Sequence, residues 1–193
     1  MDPIKATNHE ALKAFQKAQE EFRAANFEKA EQLLAFYQKN IDVDAFSRTD
    51  NRQPCTVLVS VVIVAYATNE LLIECLDSLS RQSDPRFEII VVNNGQNDRV
   101  REELDRRPLL HIQCPMNMIL SEGRNIGVCY ARGTYVAFLD DDARAGSGYI
   151  ASIICAFSRY RIAALRERCC PSSLKGITGV FGTMIREMSP YRL

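Results

Sequence analysis

Two signatures that usually announce a phosphate-binding loop are missing from this chain. No G-x-G-x-x-G follows an apolar run, and no G-x-x-x-x-G-K-[ST] occurs anywhere. Phosphates bound here would need something other than a glycine cradle. Excess charge of one sign is also missing: 24 Lys and Arg balance 24 Asp and Glu, for a formal net charge of zero. That removes the basic footprint expected of a nucleic-acid binder and any charge block suited to a membrane surface. No apolar run is long enough to cross a bilayer, and Met1 is followed by polar, helix-like sequence instead of a signal-peptide pattern. The expectation is a cytoplasmic chain that reaches a membrane only through partners. Histidine is scarce, and His9 and His111 are too distant in sequence for a local metal motif. Cysteines occur at Cys55, Cys75, Cys114, Cys129, Cys155, Cys169 and Cys170, odd in number and without a C-x-x-C. Buried thiols in a reducing compartment are expected, in preference to disulfides or zinc.

What is present is a core-forming pattern. With 193 residues, 47% of them hydrophobic, the chain suits one ordinary domain plus a small appendage. Leu12, Phe15, Ala18 and Phe22 recur at helical spacing, and Phe27, Ala30, Leu34 and Tyr37 do so again. The intervening Ala24-Ala25-Asn26 can turn the chain, Asn tolerating a left-handed terminus. Residues 1–41 therefore read as a helical hairpin, similar to half of a tetratricopeptide repeat but without the neighbours an array needs. Polar residues 42–54 read as a linker.

From residue 55 onward strand and helix patterns alternate. Val57 to Val64 is almost continuously apolar, as a strand buried on both faces should be. Leu71, Leu72, Cys75, Leu76 and Leu79 trace a helical stripe with Thr68 or Asn69 as N-cap. A second strand covers Glu88 to Val92, a charged helix Asp98 to Arg107 and a weaker strand Leu109 to Gln113. Ile126, Cys129 and Tyr130 mark another helix, with Gly133 expected as its C-terminal cap. A strand from Thr134 to Leu139 is followed by a helix carrying Ile150, Ile153, Ile154 and Phe157, and Arg161 to Leu165 reads as a further strand. Such alternation predicts an α/β fold with a mostly parallel sheet flanked by helices.

Asp140, Asp141 and Asp142 stand at the end of the apolar run Tyr135 to Leu139. Ligand sites of open α/β sheets form outside the carboxyl ends of strands. If the extended chain continued, Asp140 and Asp142 would point one way and Asp141 the other. Two hard carboxylates suit Mg²⁺ or Mn²⁺, which commonly share substrate phosphates. The plainer alternative is a solvated acidic turn.

Here a resemblance becomes specific. Val59-Ser60-Val61-Val62-Ile63-Val64-Ala65-Tyr66 resembles the opening strand of family 2 glycosyltransferases, and Glu88 to Gly95 resembles their second strand. Gly123-Arg124-Asn125-Ile126-Gly127, followed by Ala131 to Asp142, resembles the segment carrying their D-x-D motif. The matches run in order from about Val57 to Ala164. The resemblance implies a GT-A, Rossmann-like sandwich that binds a nucleoside-diphosphate sugar, over residues 55–166. It implies that Ala65 and Tyr66 lie at the base, Tyr66 touching the ring face unless it only packs under a loop. Asn93 and Asn94 fall where the family usually carries an aspartate that recognises the base; an Asn oxygen can still accept a uracil or thymine N–H. Alternatively Asn93-Asn94-Gly95 is only a good turn. Asp140 and Asp142 match the first and last positions of D-x-D, which in the family serve the ribose and the metal, so the resemblance implies Asp140 and Asp141 at the substrate and Asp140 and Asp142 at Mg²⁺ or Mn²⁺. Arg124 and Asn125 lie near the nucleotide, or else form a helix-start cluster. A UDP- or dTDP-type sugar is the implied donor, without a nucleic-acid partner.

The family inverts configuration, with a carboxylate as general base for the acceptor hydroxyl. That base lies well beyond the D-x-D segment, and nothing in the unassigned stretch 167–193 singles out Glu167 or Glu187 for the task. The catalytic residues and the acceptor are left unknown, and the expectation is a nucleotide-binding part truncated before the base. A sheet edge near Leu165 would suit a second copy or a partner chain. A non-catalytic nucleotide-sugar-binding or assembly module is the alternative. A metal-dependent nucleotidyltransferase fits less well, since Val64-Ala65-Tyr66-Ala67-Thr68 is no basic, glycine-rich loop.

Overall fold

The computed structural model describes residues 3–66, 69–95, 98–160 and 184–186. Thr68, the strand expected at Arg161 to Leu165 and the stretch 167–193, apart from a short strand at 184–186, lie outside the described residues. The chain divides into two units, residues 1–46 and 47–193.

The first unit is the expected helical hairpin. Helices α1 (Pro3–Arg23) and α2 (Phe27–Asn40) pack through Ala11, Ala14, Phe15, Ala18, Ala30 and Tyr37, all buried. Alanines let the helices approach, and the Phe15 and Tyr37 rings fill the contact with centroids 4.7 Å apart. Phe22 and Phe27, expected in the core stripe, instead clamp the turn edge to face at 5.3 Å and are exposed. The turn's left-handed residue is Ala25, at φ 60°, and not Asn26. Asn26 is used otherwise, its Nδ2 donating to Glu21 Oε2 at 2.8 Å. Asn8 closes the unit by accepting from the Asp42 N–H at 2.8 Å and donating to the Asp42 carbonyl at 3.0 Å.

In the second unit Val59, Val61, Ile63 and Ala65 bury one face of a strand while Val62 buries the other. This is the doubly covered central strand β2 (Val59–Ala65). Its partners are β3 (Phe87–Asn93), β4 (Leu110–Gln113) and β5 (Tyr135–Phe138), preceded by β1 (Ser47–Asp50) and followed by β6 (Met184–Arg186). The order is β1-β4-β3-β2-β5-β6. The inner four strands run parallel, and both edge strands are antiparallel to their neighbours. Strand β1 lies inside the stretch expected as a linker. Its four residues are exposed or half-buried, so no apolar alternation marks it; the main-chain ladder to β4, Ser47 opposite Gln113, defines it.

Helices α3 (Asn69–Ser80), α4 (Asp98–Asp105) and α6 (Tyr149–Arg159) supply Leu72, Leu76, Leu79, Val100, Leu104, Ile150 and Ile153 to one face of the sheet. Helix α5 (Ile119–Cys129) lies over the other face. It does so closely: a Cβ on Gly127 would sit 2.3 Å from Val62 Cγ1, and one on Gly123 2.7 Å from Val64 Cγ1. Successive crossovers carry the chain from β2 to β4, and α5 then returns it past β2 to β5. The direction of winding reverses between β2 and β5, the switch point at which open sheets form a crevice.

Gly133 does not cap α5, whose C-cap is Tyr130. Instead it lets the chain pass against β2, since a Cβ there would lie 2.7 Å from the Ser60 nitrogen. Its N–H donates to Ser60 Oγ at 2.9 Å, and that hydroxyl donates to Glu88 at 2.6 Å. The buried Glu88 also accepts from Arg52 at 2.9 Å and from the Arg132 main chain and side chain at 2.6 and 2.7 Å.

Candidate functional site

The expected site residues collect at the carboxyl ends of β2, β3 and β5. Strand β5 stops at Phe138, and after Leu139 the chain turns, the Ala143 N–H reaching the Asp140 carbonyl at 3.0 Å. Strand alternation therefore does not carry through the three aspartates. Asp141 Oδ2 accepts the Tyr66 N–H at 3.4 Å, tying the end of β2 to this turn. Asp140 is half-buried and Asp142 exposed. Burial raises the Asp140 carboxyl above the ordinary carboxylate range; Arg124 opposes that shift and the charge of Asp142 reinforces it. Arg124 donates to Asp140 Oδ1 at 3.2 Å and lies over the Phe138 ring, 5.2 Å from its centroid.

Helix α3 fixes the aspartate loop from below. The Cys75 thiol donates to the Asp140 carbonyl at 3.6 Å. Its burial, with the neighbouring Asp141, Asp142 and Asp140 charges, pushes the thiol pKa up to about 12, so it remains a donor. Ser78 Oγ accepts from the Ala145 N–H at 2.8 Å, and Gln82 donates to the Gly146 carbonyl at 2.7 Å.

Asn93 and Asn94 are both buried. Asn93 accepts from the Gly95 N–H at 3.0 Å and donates to Gln113 at 3.0 Å. Asn94 accepts from the Met118 N–H and donates to the Ile119 carbonyl, each at 3.2 Å. These amides shape two loops: their own, and the start of α5. Ile119 there has φ 56°, a left-handed conformation that β-branched residues rarely adopt. Asn117 joins in, accepting the Ile119 N–H at 2.9 Å. Ala65 is buried at the end of β2, while Tyr66, the next residue, is 60% exposed. Asn125 is the outlier: it is exposed and donates to Glu122 at 3.0 Å on its own helix. Gln113 and Ile119 escaped sequence reasoning, because their bonds to Asn93 and Asn94 span 20 and 25 residues and no local pattern connects them.

Among the described residues no three His, Cys, Asp or Glu side chains converge as a metal cage. Two neighbouring hard carboxylates, Asp140 and Asp142, are nonetheless the kind of donor set with which Mg²⁺ or Mn²⁺ completes its shell from water and phosphate oxygens.

Fold and site together define an open α/β protein with a cluster of aspartates at its switch point. The chain belongs to glycosyl transferase family 2, whose family model matches residues 60–166, more than half its length. It is 39% identical over 89 residues to the uncharacterized glycosyltransferase EpsJ of Bacillus subtilis, a match covering 44% of this chain and 26% of that protein. To the glycosyltransferase GlyA of Streptococcus pneumoniae it is 34% identical over 101 residues, covering 49% and 14%. The match thus spans about a quarter or less of these curated relatives. In three dimensions it is similar to residues 1–349 of TarS from S. aureus in complex with UDP-GlcNAc, with TM-score 0.55, 21% identity, and coverage of 64% of this chain and 37% of that one. It is likewise similar to the mannosyltransferase PcManGT from Pyrobaculum calidifontis in complex with GDP-Man and Mn²⁺, with TM-score 0.56, 16% identity, and coverage of 95% and 56%. The expected GT-A fold is the fold observed. No described helix is long and apolar enough to cross a membrane.

Proposed function

We propose that this chain binds the donor of an inverting glycosyl transfer, a nucleoside-diphosphate sugar of the UDP or dTDP type, in the crevice between β2 and β5. The observation that carries this reading is the bond from the Tyr66 N–H to Asp141, which joins the base end and the diphosphate end of the crevice. The exposed Tyr66 ring offers a flat apolar surface to a base. Asn93 and Asn94 shape the loop beside it, each amide oxygen keeping a second lone pair for a base N–H. Asp140 and Asp142 would hold Mg²⁺ or Mn²⁺ together with the diphosphate. Bound there, such an ion supplies Lewis-acid stabilisation of the charge on the leaving diphosphate. Arg124 steadies Asp140 and adds positive charge beside the same oxygens. The UDP-GlcNAc held by TarS and the GDP-Man and Mn²⁺ held by PcManGT support a nucleoside-diphosphate sugar as donor.

Every residue assigned here acts on the donor. That favours, as a second reading, a chain that binds the nucleotide sugar and leaves acceptor activation to residues elsewhere. Calorimetric titration with UDP-, dTDP- and GDP-sugars, with and without Mn²⁺, tests the first reading. Tighter binding of a uridine or thymidine diphosphate sugar when Mn²⁺ is present is expected, and Asp142→Ala should abolish the metal-dependent part. Affinity indifferent to chelator would overturn it. Release of diphosphate that depends on added acceptor would overturn the second reading.

A further inference from the structure

Gln113 is the last residue of β4 and lies opposite Asn93 in the parallel register. Its carboxamide is used at both ends. Nε2 faces three main-chain carbonyls, those of Gly95 at 2.8 Å, Cys114 at 3.2 Å and Asn93 at 3.3 Å. Three acceptors on one side require the NH₂ group there, which leaves Oε1 toward Asn93. Oε1 accordingly accepts from Asn93 Nδ2 at 3.0 Å. The Asn93 amide is thereby oriented, with its oxygen on the Gly95 N–H. Gly95 in turn packs against the end of β2, since a Cβ on it would meet the Tyr66 carbonyl oxygen at 2.2 Å.

We propose that Gln113 is a positioning residue for the nucleoside pocket. It dictates which way the Asn93 amide points, and so sets the loop on which Tyr66 rests. The inference rests on the nucleotide-binding reading above. It has a chemical consequence that packing alone does not. An Asp at 93 would turn a carboxylate oxygen toward Gln113 Oε1, and reversing the Gln amide would aim Oε1 at three carbonyls. A Lys at 113 has only donors, suiting both the carbonyls and an acid at 93 but not the Nδ2 of Asn93.

The test is titration of the full chain with UDP and Mg²⁺, comparing wild type, Asn93→Asp, Gln113→Lys and the double variant. Each single substitution should weaken binding by about tenfold, the effect of one mispaired buried polar group. The double variant should return to within about threefold of wild type, a coupling that independent sites lack. Wild-type-like binding by both single variants, or a double variant no better than the weaker single one, would overturn the inference. Absence of UDP binding by wild type would overturn the nucleotide reading itself. Amide exchange gives a readout independent of ligand and of those charged variants. In Gln113→Leu the Gly95 N–H should exchange about tenfold faster, the loss of one oriented bond, while the Ile90 and Val91 amides are unchanged. Unaltered Gly95 exchange would show that Gln113 does not orient Asn93.

Discussion

Arg124 and Asp140 meet at 3.2 Å, one projecting from α5 and the other from the turn after β5. Both side chains are about a third exposed, 30% and 32%. Half-exposed pairs add little to stability, about 0–1 kcal/mol, so this one matters for placement. Arg124→Met should change unfolding free energy by less than about 1 kcal/mol while weakening UDP–Mg²⁺ binding by about tenfold, the loss of one charge-assisted contact. Denaturant unfolding alongside calorimetry separates the two. A large loss of stability with unchanged affinity would sink the assignment.

The burial of Asp140 sets a pH dependence. A carboxyl whose pKa is raised by burial keeps its proton to higher pH than a free Asp at about 3.9. Protons and a divalent cation compete for Asp140, so binding is complete above the raised value and is lost as pH falls through it. Titrations of UDP with Mg²⁺ over a pH series should show the decline beginning above the free-Asp value. In Asp140→Asn that pH dependence should vanish along with most of the affinity.

Ile119 carries strain that glycine would remove. Left-handed geometry costs a β-branched residue about 1–3 kcal/mol, against about 0.5–1 kcal/mol for the added freedom of glycine in the unfolded chain. Ile119 is 41% exposed, so little burial is forfeited. Ile119→Gly should raise stability by about 1 kcal/mol, seen as a higher denaturant midpoint with an unchanged slope. A lower midpoint would mean that the side chain contributes more than the strain costs.

At the opposite end of the sheet, Glu88 is the common acceptor for Arg52, Arg132 and Ser60. The Arg52 side chain is only 8% exposed, so removing the carboxylate leaves a buried charge with Asp50 as its remaining ion-pair partner and the Tyr130 carbonyl as a neutral acceptor. Glu88→Ala should cost about 3–5 kcal/mol, and Glu88→Gln less, since an amide oxygen still accepts from Ser60. Equal losses in the two variants would show that volume, not charge, is what matters there.

The strands that place the site were legible because a doubly buried strand is nearly continuously apolar, as Ile89–Val92 is throughout and Val59–Ala65 is except at Ser60. Strand β1 was hidden because Ser47, Arg48, Thr49 and Asp50 gain strand geometry only from the main chain of β4. The aspartates were legible as a cluster but not in direction, since the turn at Asp140 to Ala143 overrides alternation. Asn93 and Asn94 read as base-recognising amides or, alternatively, as turn formers, and both take part in local loop bonds, Asn93 to the Gly95 N–H and Asn94 to the Met118 N–H. Their longer-range task depends on tertiary neighbours: Gln113, brought opposite Asn93 by parallel pairing, and the start of α5 packed beside Asn94. Gly133 likewise read as a helix cap because its real constraint, contact with Ser60, is tertiary.

The strand order has a cost during synthesis. Val59 pairs with Phe87 on one side and with Tyr135 on the other, so β2 gains its second neighbour long after its first. At about 5–20 residues per second, the ribosome leaves that edge without its partner for roughly 4–15 s. Over that interval the hydrophobic strand Val59–Ala65 presents a row of unpaired main-chain groups, the kind of edge that recruits other chains. The crevice has no second wall until β5 arrives. The reversal of winding that creates a place for a ligand therefore also makes the nascent chain vulnerable to aggregation, and a chaperone that shields this segment would act before any ligand can.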